Sequence, residues 1–139
     1  MTKKNTGVST PGRARGVERC WVLTGKQDGE STWHLRRRRL TSGEVGSVEA
    51  AWDWALAREE RYGDVIGFFH THPHGAGTQM SSRDIRTMLA WRSALGKPML
   101  CLIAEGKAIN GYVITNEDGQ AIQVQSILKG ERGWYTVQA

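Results

Sequence analysis

Residues 64–70, Asp-Val-Ile-Gly-Phe-Phe-His, form an apolar run of buried-strand length, and no other stretch constrains the fold as much. Three residues beyond it stands Pro73, which cannot donate to a sheet ladder. The chain therefore turns there, and the strand end becomes the rim of a cleft.

The rest of the chain supplies partners for such a strand. Residues 17–24, Val-Glu-Arg-Cys-Trp-Val-Leu-Thr, read as a strand, and 25–31 as a turn. Residues 32–41 alternate loosely and carry four consecutive arginines, Arg36 to Arg39, which predicts an edge or exposed strand. Val48, Ala51, Trp52, Ala55 and Leu56 make one apolar helical stripe, with Ser47 suited to the N-cap and Gly63 to the stop. A second helix begins near Ser82, carries Ile85, Met88, Leu89 and Leu95, and ends at Gly96 before Pro98. Strands are expected at 98–104 and 107–115, joined near Glu105 and Gly106. Another follows at 121–128, after a turn holding Asp118 and Gly119, and a last one at 133–137. This mixed order predicts one α/β sheet with helices packed on it.

A length of 139 residues suits one domain with its own hydrophobic core. Cys20 and Cys101 lie in apolar runs without CxxC spacing, which reads as two buried reduced thiols. No apolar run approaches the roughly 18 residues of a membrane span, and no secretory pattern opens the chain, so a cytoplasmic protein with no membrane partner is expected. The net charge of +5 is uneven: residues 1–16 hold Lys3, Lys4, Arg13 and Arg15 and no acid, leaving 15 basic and 14 acidic side chains in 17–139. Residues 1–16 read as a disordered basic tail and 17–139 as the folded domain. The near-neutral body argues against a broad nucleic-acid-binding face.

Chemistry concentrates at the strand end. His70-Thr71-His72-Pro73-His74 places three of the four histidines within five positions. In extended chain, residues i and i+2 share a face, so His70 and His72 can aim at one ion while Thr71 points away. Eleven residues after Pro73 comes Asp84, with Ser81 three before it. Two His and a carboxylate around an open position form a catalytic zinc set. A lone strand-end His is ordinarily structural, and Ser-x-x-Asp opening a helix is also a capping-box variant. The cap is compatible with ligation, because a helix N-terminus holds Asp84 rigidly.

His70-x-His72-Pro73, seven residues, then Ser81-x-x-Asp84 resembles the motif of the JAMM (MPN-plus, or JAB) metalloproteases. The resemblance covers roughly residues 17–128. It implies Zn2+ held by His70, His72 and Asp84, with Ser81 stabilising the oxyanion. It also implies a general acid-base Glu from an earlier strand, which typically opens a Glu-x-x-Gly-x-x-x-Gly stretch. Glu18 to Gly25 keeps the Glu and the final Gly, with Trp21 in place of the inner Gly, and Glu18 stands 52 residues before His70. Glu30 and Glu44 are the alternatives, but only Glu18 lies on an apolar strand. The implied layout is a mixed curved sheet flanked by two main helices, of the JAB/MPN, cytidine-deaminase-like kind. The zinc deaminases themselves are excluded by the lack of a Pro-Cys-x-x-Cys motif.

The function implied by the resemblance is zinc-dependent cleavage after the C-terminal tail of ubiquitin or a ubiquitin-like protein. The partners would be that protein or its conjugates, with activating and conjugating enzymes of the same system. Minimal members of this size look like bacterial ones that serve ubiquitin-like conjugation, some linked to phage defence. Three alternatives are a non-catalytic MPN scaffold, a hydrolase of a sulfur carrier or small molecule, and a nucleic-acid module using the arginine run and tail. His74 reads as a loop-exposed bystander.

Overall fold

The computed structural model describes residues 19–41, 47–115 and 120–139. The tail 1–16, Glu18, Glu44, the Asp118–Gly119 turn, and the side chains of Val48 and Ala51 lie outside them. The strands are β1 (Cys20–Asp28), β2 (Thr32–Thr41), β3 (Val65–Thr71), β4 (Met99–Glu105), β5 (Ala108–Ile114), β6 (Ala121–Gln123), β7 (Ser126–Lys129) and β8 (Trp134–Gln138). The helices are α1 (Ser47–Tyr62), between β2 and β3, and α2 (Ser82–Leu95), between β3 and β4. The strands form one mixed sheet in the order β6-β5-β4-β3-β1-β2-β8-β7. Its single parallel pair among the described residues is β3 with β4, joined by the α2 crossover.

β3 is the apolar run 64–70 almost residue for residue, and it sits in the middle of the sheet, buried from Val65 to His70. Alternation then divides its side chains between two cores. Phe68 joins Cys20, Val22, Met88, Trp91, Cys101 and Ile103 in a core between sheet and helices. Phe69 joins Leu23, Trp33, Leu35, Leu102, Tyr135 and Val137 in a second core on the other face. Among the described residues that second core holds no helical residue, so the sheet itself encloses it by curling.

The curl explains a departure from the sequence reading. Residues 121–128 look like one strand but are two, β6 and β7, on opposite edges of the sheet. Val124 N–H donates to Gly111 O of β5 at 2.9 Å, and Gln125 N–H donates to Gln138 O of β8 at 2.7 Å. Consecutive residues thus bond the strands next to either end of the order, and the segment 121–129 is the seam of a rolled sheet. Gly111 permits this closure: a Cβ there would lie 2.7 Å from Leu102 Cδ2 and 3.0 Å from Val124 Cγ2. Gly67 does the same between the parallel strands, where a Cβ would meet Leu100 O at 1.9 Å.

β2 is the other correction. It is not an edge strand, because β1 pairs one side and β8 the other. Trp33 and Leu35 are buried in the inner core. Arg37 continues their face and stacks on aromatic rings, so the arginine run conceals a period-two pattern. β1 also runs further than expected, to Asp28, leaving a turn of only Gly29–Ser31.

The helices cover the outer face. Met88 and Trp91 of α2 are buried, each burial contributing about 1.5–3 kcal/mol. Trp52 of α1 packs on Trp91 with ring centroids 4.7 Å apart. Arg58 of α1 makes a bidentate pair with Asp64 at 2.9 and 2.7 Å, fixing the helix to the start of β3. Among the described residues, no helix is long and apolar enough to cross a membrane.

Candidate metal centre

His70 follows Phe68 onto the helix-side face, and α2 begins opposite it. The start of α2 is fixed by a reciprocal cap: Asp84 N–H donates to Ser81 Oγ at 3.1 Å, and Ser81 N–H donates to Asp84 Oδ2 at 2.8 Å. Asp84 is thereby held almost fully buried against both imidazoles. His70 Nε2 lies 3.3 Å from Asp84 Oδ1, and His72 Nε2 lies 3.3 Å from Asp84 Oδ2. Ligand atoms of the three residues all lie within 4.8 Å of one another.

The chemistry of these donors fits a metal ion. His72 Nδ1–H donates to Gly77 O at 2.8 Å, the tautomer that this carbonyl demands. The Nε2 of a neutral His72 ring then turns a lone pair towards a carboxylate oxygen. Such an arrangement suits a shared cation, which would engage both imidazoles and the carboxylate at once. Donors about 2.0–2.1 Å from a tetrahedral zinc lie about 3.3–3.4 Å apart, and each histidine stands at that distance from one Asp84 oxygen.

The loop between β3 and α2 is tied down at several points. His72 N–H donates to Ala104 O at 2.8 Å, and Ala76 N–H to Pro73 O at 3.0 Å. Tyr112 Oη–H donates to Thr78 O at 3.0 Å, and Gly75 N–H donates to the Glu105 carboxylate. A cleft of about 600 Å3 opens beside the cluster, lined by His72, Pro73, Ala76, Gln79, Met80, Ser81, Arg83 and Asp84. Ser81 Oγ accepts from the Asp84 amide, which leaves its hydroxyl proton available to the cleft.

The structure therefore brings together His70, His72, Asp84 and Ser81. His74 is exposed on the loop. Glu30 is exposed in the β1–β2 turn, at the opposite end of β1 from Cys20, which pairs with His70. Glu18 lies outside the described residues. Its chain neighbour Arg19 exchanges two hydrogen bonds with Thr71, the residue between the two histidines, at 2.9 and 3.0 Å.

Two contributors were not foreseen from the sequence. The Gly77 carbonyl orients His72, and nothing in a glycine-containing loop marks which carbonyl will do so. Cys101 Sγ lies 3.7 Å from His70 Nε2. Burial pushes its thiol well up, with Asp84 and Cys20 adding to the effect, so it stays protonated near neutral pH. It stands on the parallel neighbour of β3, a pairing that sequence spacing does not reveal.

Comparison with protein-family models found no match, and comparison with curated proteins found none either.

Proposed function

We propose that the chain is a zinc-dependent peptidase or isopeptidase of the JAMM kind, acting after the tail of ubiquitin or a ubiquitin-like protein. The observation that carries this reading is the His70–His72–Asp84 cluster at a strand end beside an open cleft, with a hydroxyl on its rim. A purely structural polar cluster has no need of that cleft. The arrangement also agrees with the JAB/MPN layout, in which a curved sheet presents the ligands on a strand end and the following helix.

His70, His72 and Asp84 would hold the ion, and zinc suits the nitrogen and carboxylate donors. Bound there, zinc supplies Lewis acidity, which makes water nucleophilic near neutral pH and polarises a carbonyl. Glu18 is assigned the proton traffic: it accepts the proton of the attacking water and returns it to the leaving amine. The Ser81 hydroxyl is assigned to the oxyanion, donating from a position already fixed by the cap. The substrate tail would lie extended along the cleft. A Gly-ended tail fits because only small residues let the backbone approach closely.

The test is a reporter fused behind a Gly-ended ubiquitin-like tail. Cleavage should follow the terminal Gly, stop with a chelator, and be abolished when that Gly is replaced by a bulky residue. Equal cleavage of unrelated unfolded peptides would overturn the tail specificity. Zinc binding with no cleavage of any tail fusion would favour the scaffold or a small-molecule substrate.

A further inference from the structure

The mouth of the rolled sheet carries a second site, on the face opposite the metal cluster. A cavity of about 400 Å3 opens there, walled by Phe69, Thr71, Ala104, Ala108, Ile109 and Tyr135. Arg37, Lys107 and Lys129 also line it, and among the described residues no acidic side chain does. That segregation is pronounced in a body with 15 basic and 14 acidic side chains. Glu105, the nearest acid in sequence to Lys107, is engaged with the Gly75 amide.

Arg37 is held in place by aromatic rings. Its guanidinium carbon lies 4.6 Å from the Trp21 ring centroid, 5.2 Å from Phe69 and 5.8 Å from Tyr135. Its Nε is buried and has no hydrogen-bond partner among the described residues. A guanidinium anchored by stacking, with no carboxylate among the described residues to neutralise it, keeps its charge for a ligand. Lys107 sits on the tight β4–β5 turn and Lys129 at the end of β7, two exposed ammonium groups on the rim.

From this geometry we propose that the mouth of the rolled sheet binds a small phosphate-bearing ligand with a planar ring, of the size of a nucleoside monophosphate. The ring lies against the apolar wall of Ala104, Ala108 and Ile109, behind which Phe69 and Tyr135 are buried, and the phosphate is held by Lys107, Lys129 and Arg37. The volume falls in the range of small-molecule sites, and barrel mouths are a recurrent place for them. Arg37 is the member of the arginine run given this role; Arg36 instead stacks on Trp134 at 5.6 Å. This site is independent of the proposed peptidase chemistry.

The test is calorimetric titration of the full chain with adenosine monophosphate and, separately, ribose 5-phosphate. Adenosine monophosphate should bind about tenfold tighter, because only it has the ring. Replacing Lys107 and Lys129 by Gln should weaken it by about tenfold or more and flatten the salt dependence, with zinc content unchanged. Both lysines are exposed, so this variant spares the core, whereas Arg37→Gln risks it. No binding at about 5 mM, unchanged affinity in the lysine variant, or equal affinity for ribose 5-phosphate would each overturn the proposal.

Discussion

His72 donates its Nδ1–H to the carbonyl of Gly77 at 2.8 Å, so the orientation of the outer imidazole is set by the loop that follows it. The loop is in turn held by Tyr112, whose hydroxyl donates to Thr78 O and accepts from Asn110 Nδ2 at 3.2 Å. A residue on β5 thus supports His72, just past the end of β3, through backbone.

Tyr112→Phe tests that support. Removing the hydroxyl leaves the Thr78 carbonyl without this donor, which should cost about 1 kcal/mol of stability. Zinc affinity should fall by up to about tenfold, as for other outer supports of a metal ligand. Competition with a chromophoric chelator measures it.

Glu18→Gln separates metal binding from proton transfer. Zinc content should be unchanged while turnover of a tail fusion falls about 10²–10⁴-fold. Glu30→Gln and Glu44→Gln should be nearly silent. An active Glu18→Gln enzyme beside a dead Glu44→Gln one would place the base on Glu44.

Ser81 has two roles that substitution can separate. Ser81→Ala should lose about 1 kcal/mol of stability with the cap, and Ser81→Gly only a few tenths. Both should lose about 10²–10³-fold in turnover if the hydroxyl serves the oxyanion. Thermal denaturation and single-turnover kinetics read the two effects.

The Arg58–Asp64 pair predicts a pH signature far from the metal. The hydrogen bond from Arg58, reinforced by its charge, holds the Asp64 carboxyl below its ordinary range despite partial burial. A depressed folded-state value gives stability that is present above the unfolded value of about 3.9 and lost as pH falls through the lower folded one. Asp64→Asn should therefore be less stable than the parent by about 1 kcal/mol at neutral pH, a modest amount because the pair is partly solvated. The gap should close below about pH 4, as seen in denaturant melts across pH.

Much of the sheet was legible because burial leaves a pattern. The run 64–70 became β3, and the stripe with Ser81, Met88 and Gly96 became α2 with its caps. The His70–His72–Asp84 cluster was legible because His70 and His72 are local and Asp84 lies one loop away. What stayed hidden depends on long-range pairing. Val124 bonds β5 and Gln125 bonds β8, near opposite ends of the strand order, a switch that the continuous apolar pattern of 121–128 does not reveal. β2 looked exposed because the charge of Arg37 outweighs, by composition, the rings on which it stacks. Cys101 reaches His70 only through the parallel pairing of β3 with β4.

Zinc stoichiometry tests the central claim most directly. After incubation with zinc and removal of the excess, elemental analysis of the full chain should give close to one zinc per molecule. His72→Ala and Asp84→Ala, still folded by circular dichroism, should give almost none. An unsubstituted chain that binds no zinc, or one whose zinc survives both substitutions, would contradict the account.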